Sequence, residues 1–359
     1  MALEPISLIN AGIVIASIQG CAILWNKAGH RGICVLLLLL SLSALMNILE
    51  ANGIAPYLTQ FTPTFLLLFG PMLYLACSLL TKNALNKRDG LHFLPALLSM
   101  AFSQYVQAII ALGTLSRLAY SVLTARQLQQ YKRHLDAERS DSDEYSFQWM
   151  IWGVVITASF NVIDLVRLNL QPFISADLNV FGQGVNNALW LVMVMFITYK
   201  LNLQQSAPAI EIKSYDKAQD RSSDSHSTRD EGLSSDRAQS TEKEDAAQFA
   251  IIFSTLDVQI KEEQWFLIER LTLAQLSEFS GFQQRDISRA INLNANKSFN
   301  EYINTLRVNY VCQAIRNHTH KSITELTFDA GFSSKAAFNR AFKQVTKMTP
   351  TQFKNMQAA

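Results

Sequence analysis

Catalytic signatures are what this chain lacks. Its 359 residues hold no glycine-rich phosphate loop, no HExxH zinc signature and no paired-carboxylate motif. The six histidines are scattered, and the four cysteines, Cys21, Cys34, Cys77 and Cys312, show no CxxC spacing. No metal site, cofactor, disulfide framework or catalytic residue is therefore expected, and the thiols read as small buried hydrophobes. His318 and His320 stand close together but read as part of a polar turn. The opening MALEPISL has Glu4 and no basic residue, so a secretory signal is not expected either.

Charge is scarce in the first two hundred residues, and long apolar runs take its place. Seven candidate spans succeed one another: Ile6 to Trp25, Ile33 to Leu49, Thr64 to Leu80, Leu91 to Leu112, Leu115 to about Leu128, Phe147 to Leu168 and Leu178 to Tyr199. Most approach the roughly 20 residues that cross a bilayer. With the N-terminus outside, the inner loops hold Lys27 and Arg31, then Lys82, Lys87 and Arg88, then Arg126, Lys132, Arg133 and Arg139, then Lys200. Only Arg117 and Arg167 are left near outer span ends. The alternative, one long helix over Leu91 to Leu128, puts a basic set outside however the chain is threaded, against the tendency of Lys and Arg to stay cytoplasmic.

Hydrocarbon penalises polar groups, so those inside the spans stand out. Asn161, Asp164 and Arg167 share a side of span six, and Gln183, Asn186 and Asn187 lie early in span seven, toward the same outer end. They read either as helix-to-helix hydrogen bonding with a self-neutralising ion pair, or as an outward-facing pocket for an unknown small-molecule signal. Gln104 and Gln107 in span four fit either reading.

Residues 203–247 carry DRSSDSHSTRDEGLSSD and a net charge of −4, against +2 for 1–202 and +4 for 248–359. Many Ser and Asp with no apolar period predict a disordered linker wandering roughly 35–40 Å. Such a tether transmits neither torque nor displacement. From Phe249 to Ile260 a helical period returns through Ile252, Phe253 and Leu256, predicting a segment that packs on the first helical unit of the C-terminal third or pairs with a second copy.

The C-terminal third repeats itself. LSEFSGF, Leu276 to Phe282, returns as LTFDAGF, Leu326 to Phe332, and each copy leads into a basic amphipathic segment, ISRAI at 287–291 and FNRAF at 338–342. In each, an apolar-periodic helix ends at a glycine, Gly281 or Gly331, free to take positive φ, and a phenylalanine pins the turn. Capping boxes mark helix starts: Thr272 with Gln275, Ser298 with Glu301, Ser322 with Glu325, and Thr349 with Gln352, where Pro350 takes the first helical position. A duplicated helix, turn, helix at this separation has one common use, laying two helices into successive major grooves of one DNA duplex.

From about Leu271 to Lys354 the chain also resembles the AraC/XylS family of transcription regulators, through LTLAQLSEFSGF, SFNEYINTLRV and SITELTFDAGFSSKAAFNRAFKQVTKMTP. The resemblance covers under a third of the protein. It implies groove-facing Gln284, Arg285, Ser288 and Arg289 in the first unit, and Lys335, Ala336, Asn339, Arg340 and Lys343 in the second. Their chemistry fits, since Arg reads guanine, Asn reads adenine, and Lys and Ser hold phosphates. Asn296 and Lys347 stand where the family has glycine after each recognition helix, and Ser277 and Thr327 where alanine is commoner.

The expected molecule is all-α: a polytopic bundle of about seven spans (1–202), a flexible linker (203–247) and a double helix-turn-helix DNA-binding domain (248–359). It is expected to be a multi-pass bacterial inner-membrane regulator with a periplasmic N-terminus and a cytoplasmic C-terminal domain. Its partners would be double-stranded promoter DNA, membrane lipid and RNA polymerase, with homodimerisation open. The rival reading is a membrane receptor or transporter whose C-terminal helices bind protein. An integral-membrane enzyme with a regulatory tail has no candidate catalytic group.

Overall fold

A computed structural model describes residues 5–54, 62–82, 84–170, 173–204, 235–317 and 320–358, the side chains of 235–245 and 358 excepted. Residues 205–234, two thirds of the expected linker, and His318 lie outside these. The chain forms two compact units: Met1–Tyr131 with Phe147–Ile212, and Lys132–Ser146 with Lys213–Ala359. The second thus takes in a stretch that the sequence assigns to an inner loop of the first.

In the first unit, α1 (Pro5–Leu24), α2 (Arg31–Ala51), α3 (Phe65–Lys82), α5 (Val106–Glu138), α7 (Gln148–Leu170) and α8 (Ala176–Leu203) are joined by short connections. Two shorter helices, α4 (Leu94–Met100) and α6 (Ser142–Tyr145), complete the series to that point. Among the described residues six helices are long and apolar enough to cross a membrane, judged by length and composition. Large apolar side chains point out of the bundle, with Trp152 70 %, Phe181 69 % and Ile15 65 % exposed.

The expected spans four and five do not divide where the sequence pattern suggests. Gly113, at their expected boundary, lies inside the unbroken α5, where a Cβ would sit 2.7 Å from Leu66 Cβ. The break falls earlier, between α4 and Val106, and a 3₁₀ stretch, Lys87–Phe93, precedes α4. Close helix packing explains the difference, because this glycine lets α5 approach α3 and punctuates nothing.

Side-chain contacts give the direction of each element. The Lys27 ammonium donates to the carbonyls of Leu201 (3.2 Å) and Asn202, and Trp149 Nε1 donates to Gln204 Oε1 (3.2 Å). The α1–α2 turn, the start of α7 and the end of α8 therefore share one end of the bundle. Gln127 Nε2 donates to Ser78 Oγ (2.8 Å) and Thr81 Oγ1 (3.1 Å), which pairs the end of α3 with the later part of α5. Ile109 of α5 packs with Leu67 of α3, so these two helices run parallel.

The stretch between them must then run back along both. His92 meets Tyr74 in mid-α3 at 5.7 Å, and its Nδ1 lies 2.8 Å from the Tyr120 hydroxyl. Ala96 reaches Leu67, and the Ser99 hydroxyl lies 3.3 Å from Thr64 Oγ1 just before α3. The 3₁₀ stretch and α4 thus travel antiparallel to α3, from its last turn to its first.

The second unit holds α9 (Ser235–Glu262), α10 (Leu273–Ser280), α11 (Gln284–Ala295), α12 (Phe299–Arg316), α13 (Ile323–Asp329), α14 (Lys335–Thr346) and α15 (Pro350–Ala358). Because α9 starts at Ser235, the last part of the expected disordered linker is helical, continuing the apolar helix from Phe249 toward the N-terminus. Leu256 and Ile260 of α9 are fully buried, Asn294 Nδ2 donates to Phe249 O (3.1 Å), and the Tyr302 hydroxyl donates to Asp257 (2.6 Å). Of the two roles open to this segment, packing onto the first helix pair is the one observed.

Two apolar cores match the repeat. Leu256, Leu276, Ile287, Ile291 and Phe299 belong to one, and Val311, Leu326, Phe332, Phe338 and Phe342 to the other. Helix α12 serves both, giving Ile303 to the first and Val308, Val311 and Ile315 to the second.

Candidate nucleic-acid interface

Both turns adopt the conformation that their glycines permit. Gly281 has φ +74° and Gly331 φ +80°. At Gly331 a Cβ would also meet Leu267 O at 2.4 Å, whereas Gly281 has open space there, so only the second turn is closed to alanine by contact as well as by φ. Ser277, in place of the commoner alanine, donates its hydroxyl to Phe282 O at 2.6 Å and so ties helix α10 to the turn that leaves it. Thr327 turns its hydroxyl back to Ile323 O at 2.7 Å and is buried.

The four capping boxes form as the sequence requires. Thr272, Ser298, Ser322 and Thr349 accept from the backbone N–H three residues on, while Gln275, Glu301, Glu325 and Gln352 accept from theirs. At Glu325, bonds from the Ser322 backbone and side chain hold the carboxyl below its ordinary pKa. Helices α11 and α14 both end on non-glycine residues in the left-handed region, Asn296 at φ +50° and Lys347 at φ +62°. Asn tolerates that conformation, and Lys347 offsets its strain by donating its N–H to Lys343 O at 2.9 Å.

On α11 and α14 the polar and apolar residues separate cleanly. Ile287, Ala290 and Ile291 are buried on one, Ala337, Phe338 and Phe342 on the other. On the opposite faces Gln284, Arg285, Arg289, Lys335, Ala336, Asn339, Arg340 and Lys343 are exposed or half-exposed and Ser288 is half-buried. The Arg289 guanidinium lies over the Phe249 ring, 4.8 Å from its centre, and Arg340 Nε lies 3.3 Å from Asp143 Oδ2. Each outward face is a row of cations and amides carried on a helix whose other side is fixed in the core.

A residue outside that set holds the unit together. Arg307 on α12 is 1 % exposed, and its Nε and Nη2 donate to Phe266 O and Ile268 O, both at 2.7 Å. Nη1 donates to Asn304 Oδ1 (3.1 Å), Nη2 also to Ser140 Oγ (3.2 Å), and the Phe332 ring lies 5.5 Å away. Burial pulls its pKa down to about 10, opposed by Asp141 and Glu269, and it stays charged at neutral pH. In the sequence it is one cation in SFNEYINTLRV and escapes notice; an arginine amid the apolar positions of a helix is the available signal.

The residues expected to form a membrane pocket are divided. Arg167 binds Asp164 at 2.8 Å and also Asn179, and Asn187 Nδ2 donates to Asn10 Oδ1 at 3.2 Å. Gln183 is half-buried, and Asn186 has a buried side-chain oxygen without a donor. Only Asn161 of the six lines the large cavity of the bundle.

Comparison with known proteins bears on the second unit. A family model described as a helix-turn-helix domain matches residues 276–356. The C-terminal unit contains a helix-turn-helix domain. Uncharacterized HTH-type transcriptional regulators of Staphylococcus aureus strains COL, MSSA476 and N315 are each 33 % identical to the chain over 86 residues. That stretch is 24 % of this chain and 11 % of each relative, so the chain spans about a tenth of the curated relatives it matches. No solved structure matches. The helix-turn-helix domain takes in α11, α12, α13 and α14 whole, and with them Arg307 and every residue expected to face the groove.

The Arg307 contacts generate the first prediction. Arg307→Met leaves the Phe266 and Ile268 carbonyls buried without donors and should cost about 3 kcal/mol or more. Arg307→Lys, able to reach one carbonyl, should cost about half as much. Thermolysin cleavage against temperature checks both, with α10–α11 and α13–α14 losing protection together. Melting of one pair alone, or an unchanged midpoint, would contradict a joint role.

Proposed function

We propose that this protein is a membrane-embedded one-component transcription regulator of AraC/XylS type, reading promoter DNA through two helix-turn-helix units. The carrying observation is the paired geometry of α11 and α14. Each comes after a positive-φ glycine and a core phenylalanine, buries one face and exposes a basic, amide-bearing other. The match to helix-turn-helix regulators supports the same reading. On this reading Arg289 and Arg340 read guanine, Asn339 reads adenine, and Gln284, Arg285, Ser288, Lys335, Ala336 and Lys343 complete the contact surface. RNA polymerase and a second copy are the expected protein partners. A protein-binding tail would not need two helices with this basic spacing.

The first unit would lie in the inner membrane, and its outward apolar side chains favour lipid as their surroundings. Seven crossings account for the helix directions better than six. With α3 and α5 parallel and the Lys87–Met100 stretch antiparallel between them, that stretch is the fourth crossing, a broken one. The N-terminus is then periplasmic, and Lys27, Lys82, Lys87, Arg88 and Lys200 all fall on the cytoplasmic side with the DNA-reading unit.

Two measurements test this. Arg289→Ala or Arg340→Ala should weaken binding to the native promoter by about 1–3 kcal/mol with relaxed specificity, and Lys343→Ala should mainly flatten the salt dependence. Unchanged promoter binding in both arginine variants would sink the DNA-contact assignment. For the topology, a cysteine at Ser103, in a chain with Cys21, Cys34, Cys77 and Cys312 replaced, should react with a membrane-impermeant thiol reagent, and one at Gly90 should not. The reverse pattern, or equal labelling, would remove the fourth crossing.

A further inference from the structure

The first unit encloses a cavity among α2, α3, α5, α7 and α8, with about 880 Å³ of empty space counting its open mouth. Most of its wall is apolar, including Leu37, Phe69, Trp149 and Trp190, while Arg117 and Asn161 supply the main polar surface. From Trp149 to Asn161 the wall runs about 18 Å along α7, so the space is long and polar toward one end.

Arg117 is the unexplained group. Its Nε is buried with no acceptor, and its Nη2 has only Thr114 Oγ1 at 3.4 Å. Asp164, the carboxylate that acts on it, is already held by Arg167 at 2.8 Å. Ser121 and Thr157 spend their hydroxyls on the backbone carbonyls of Arg117 and Gly153. A guanidinium among lipid-facing helices is costly without an acceptor, and among the described residues none completes this one.

We propose that the cavity binds a diffusible long-chain carboxylic acid, with its carboxylate on Arg117 and Asn161 and its alkyl chain along Trp190 toward Trp149. The proposal rests on the membrane-embedded reading of this unit and is independent of DNA binding. An anion answers the unpaired guanidinium, and an alkyl chain answers the apolar length of the wall. The test is saturable binding of radiolabelled dodecanoate to the full chain in phosphatidylcholine nanodiscs, corrected by empty discs.

Dodecanoate should saturate, and dodecanol should compete on the order of tenfold less well. Arg117→Gln should weaken binding by about tenfold or more and Arg117→Lys much less, because the charge is kept. Leu73→Trp, which fills the cavity and leaves Arg117 in place, should also lose binding and guards against a folding artefact of the arginine variant. Equal binding by Arg117→Gln, equal competition by dodecanol, or loss of binding in phosphatidylglycerol discs, where lipid would be the occupant, overturns the proposal. Failure of the chain to enter nanodiscs would instead sink the membrane reading beneath it.

A second inference rests on separate contacts, all within the second unit. Residues 132–146 carry three Lys or Arg against five Asp or Glu. They dock on the rest of the second unit: Ser140 N–H donates to Leu271 O (3.0 Å), just before the helix-turn-helix domain, while within it Asn304 Nδ2 donates to Ser140 O (3.1 Å) and Asn300 contacts Ser142. At the second helix pair Asp143 meets Arg340, and the Ser333 hydroxyl donates to Glu144 at 2.7 Å.

We infer that this acidic turn is an autoinhibitory clamp, its Asp143 holding Arg340 away from DNA. It rests on the DNA-reading function, and the test separates the two. Full-length protein in nanodiscs is titrated with a labelled mixed-sequence 40-base-pair duplex. Asp143→Asn should tighten binding between about two- and fivefold, the range of an exposed ion pair, and Glu144→Gln should act in the same direction. In an Arg340→Ala background the gain from Asp143→Asn should vanish. No gain, or the same gain without Arg340, overturns the clamp, while weakened binding by Arg340→Ala alone leaves DNA reading intact. Absence of any DNA binding in the parent chain removes both.

Discussion

The buried guanidinium of Arg307 is the constraint on which the C-terminal unit depends. Taking a charge out of water costs several kcal/mol unless its donors are met, and here the acceptors come from separate parts of the chain. Phe266 O and Ile268 O belong to the segment before α10, Asn304 to α12 itself, and Ser140 to the acidic turn. The Phe332 ring on its other side belongs to the second turn. None of these groups can shift far without stranding the charge. Two small helical cores, each marginal alone, are thereby registered to one another.

Registration matters because α11 and α14 each take their orientation from a short turn containing a positive-φ glycine. Gly331 faces Leu267 O at a distance no side chain could occupy, and Leu267 sits between the two carbonyls that Arg307 binds. The placement of α14 is thus linked through one backbone segment to the residue that fixes α10 and α11. On the proposed reading such a linkage is needed, since successive contacts on a duplex demand a fixed spacing.

Much of this unit is legible in the sequence because its determinants are local. The repeat of LSEFSGF as LTFDAGF, the hydroxyl and Glu or Gln of each capping box, and the positive-φ residues Asn296 and Lys347 act within a few positions of themselves. What is not legible depends on tertiary partners. Arg307 looks like any helical cation until the carbonyls around it are known. The division of Leu91 to Leu128 turns on Gly113, whose role as a packing glycine is set by Leu66 on another helix. The start of α9 at Ser235 is hidden by its polar composition, which reads equally as linker. In the candidate pocket, sequence groups Asp164, Arg167 and Asn161 by helical face; pairing among neighbours removes the first two and leaves Asn161 with Arg117, from a helix distant in sequence.

On the proposed reading, the acidic turn widens the routes open to a signal. A disordered tether alone would leave only changes in oligomer population, membrane access or proteolytic release as routes for a signal. Residues 132–146, however, belong to the second compact unit, which holds the helix-turn-helix domain, and are covalently continuous with α5 before them and α7 after them. Those two helices carry Arg117 and Asn161. On the proposed reading, a ligand that changed the separation or rotation of α5 and α7 would act through the chain on the segment whose Asp143 meets Arg340. The differential energy needed is small, because an exposed ion pair contributes only about 0.2–1 kcal/mol. A weak clamp on a short covalent path is therefore better matched to a small-molecule signal than a strong one, which the ligand's modest preference for one helix arrangement could not release.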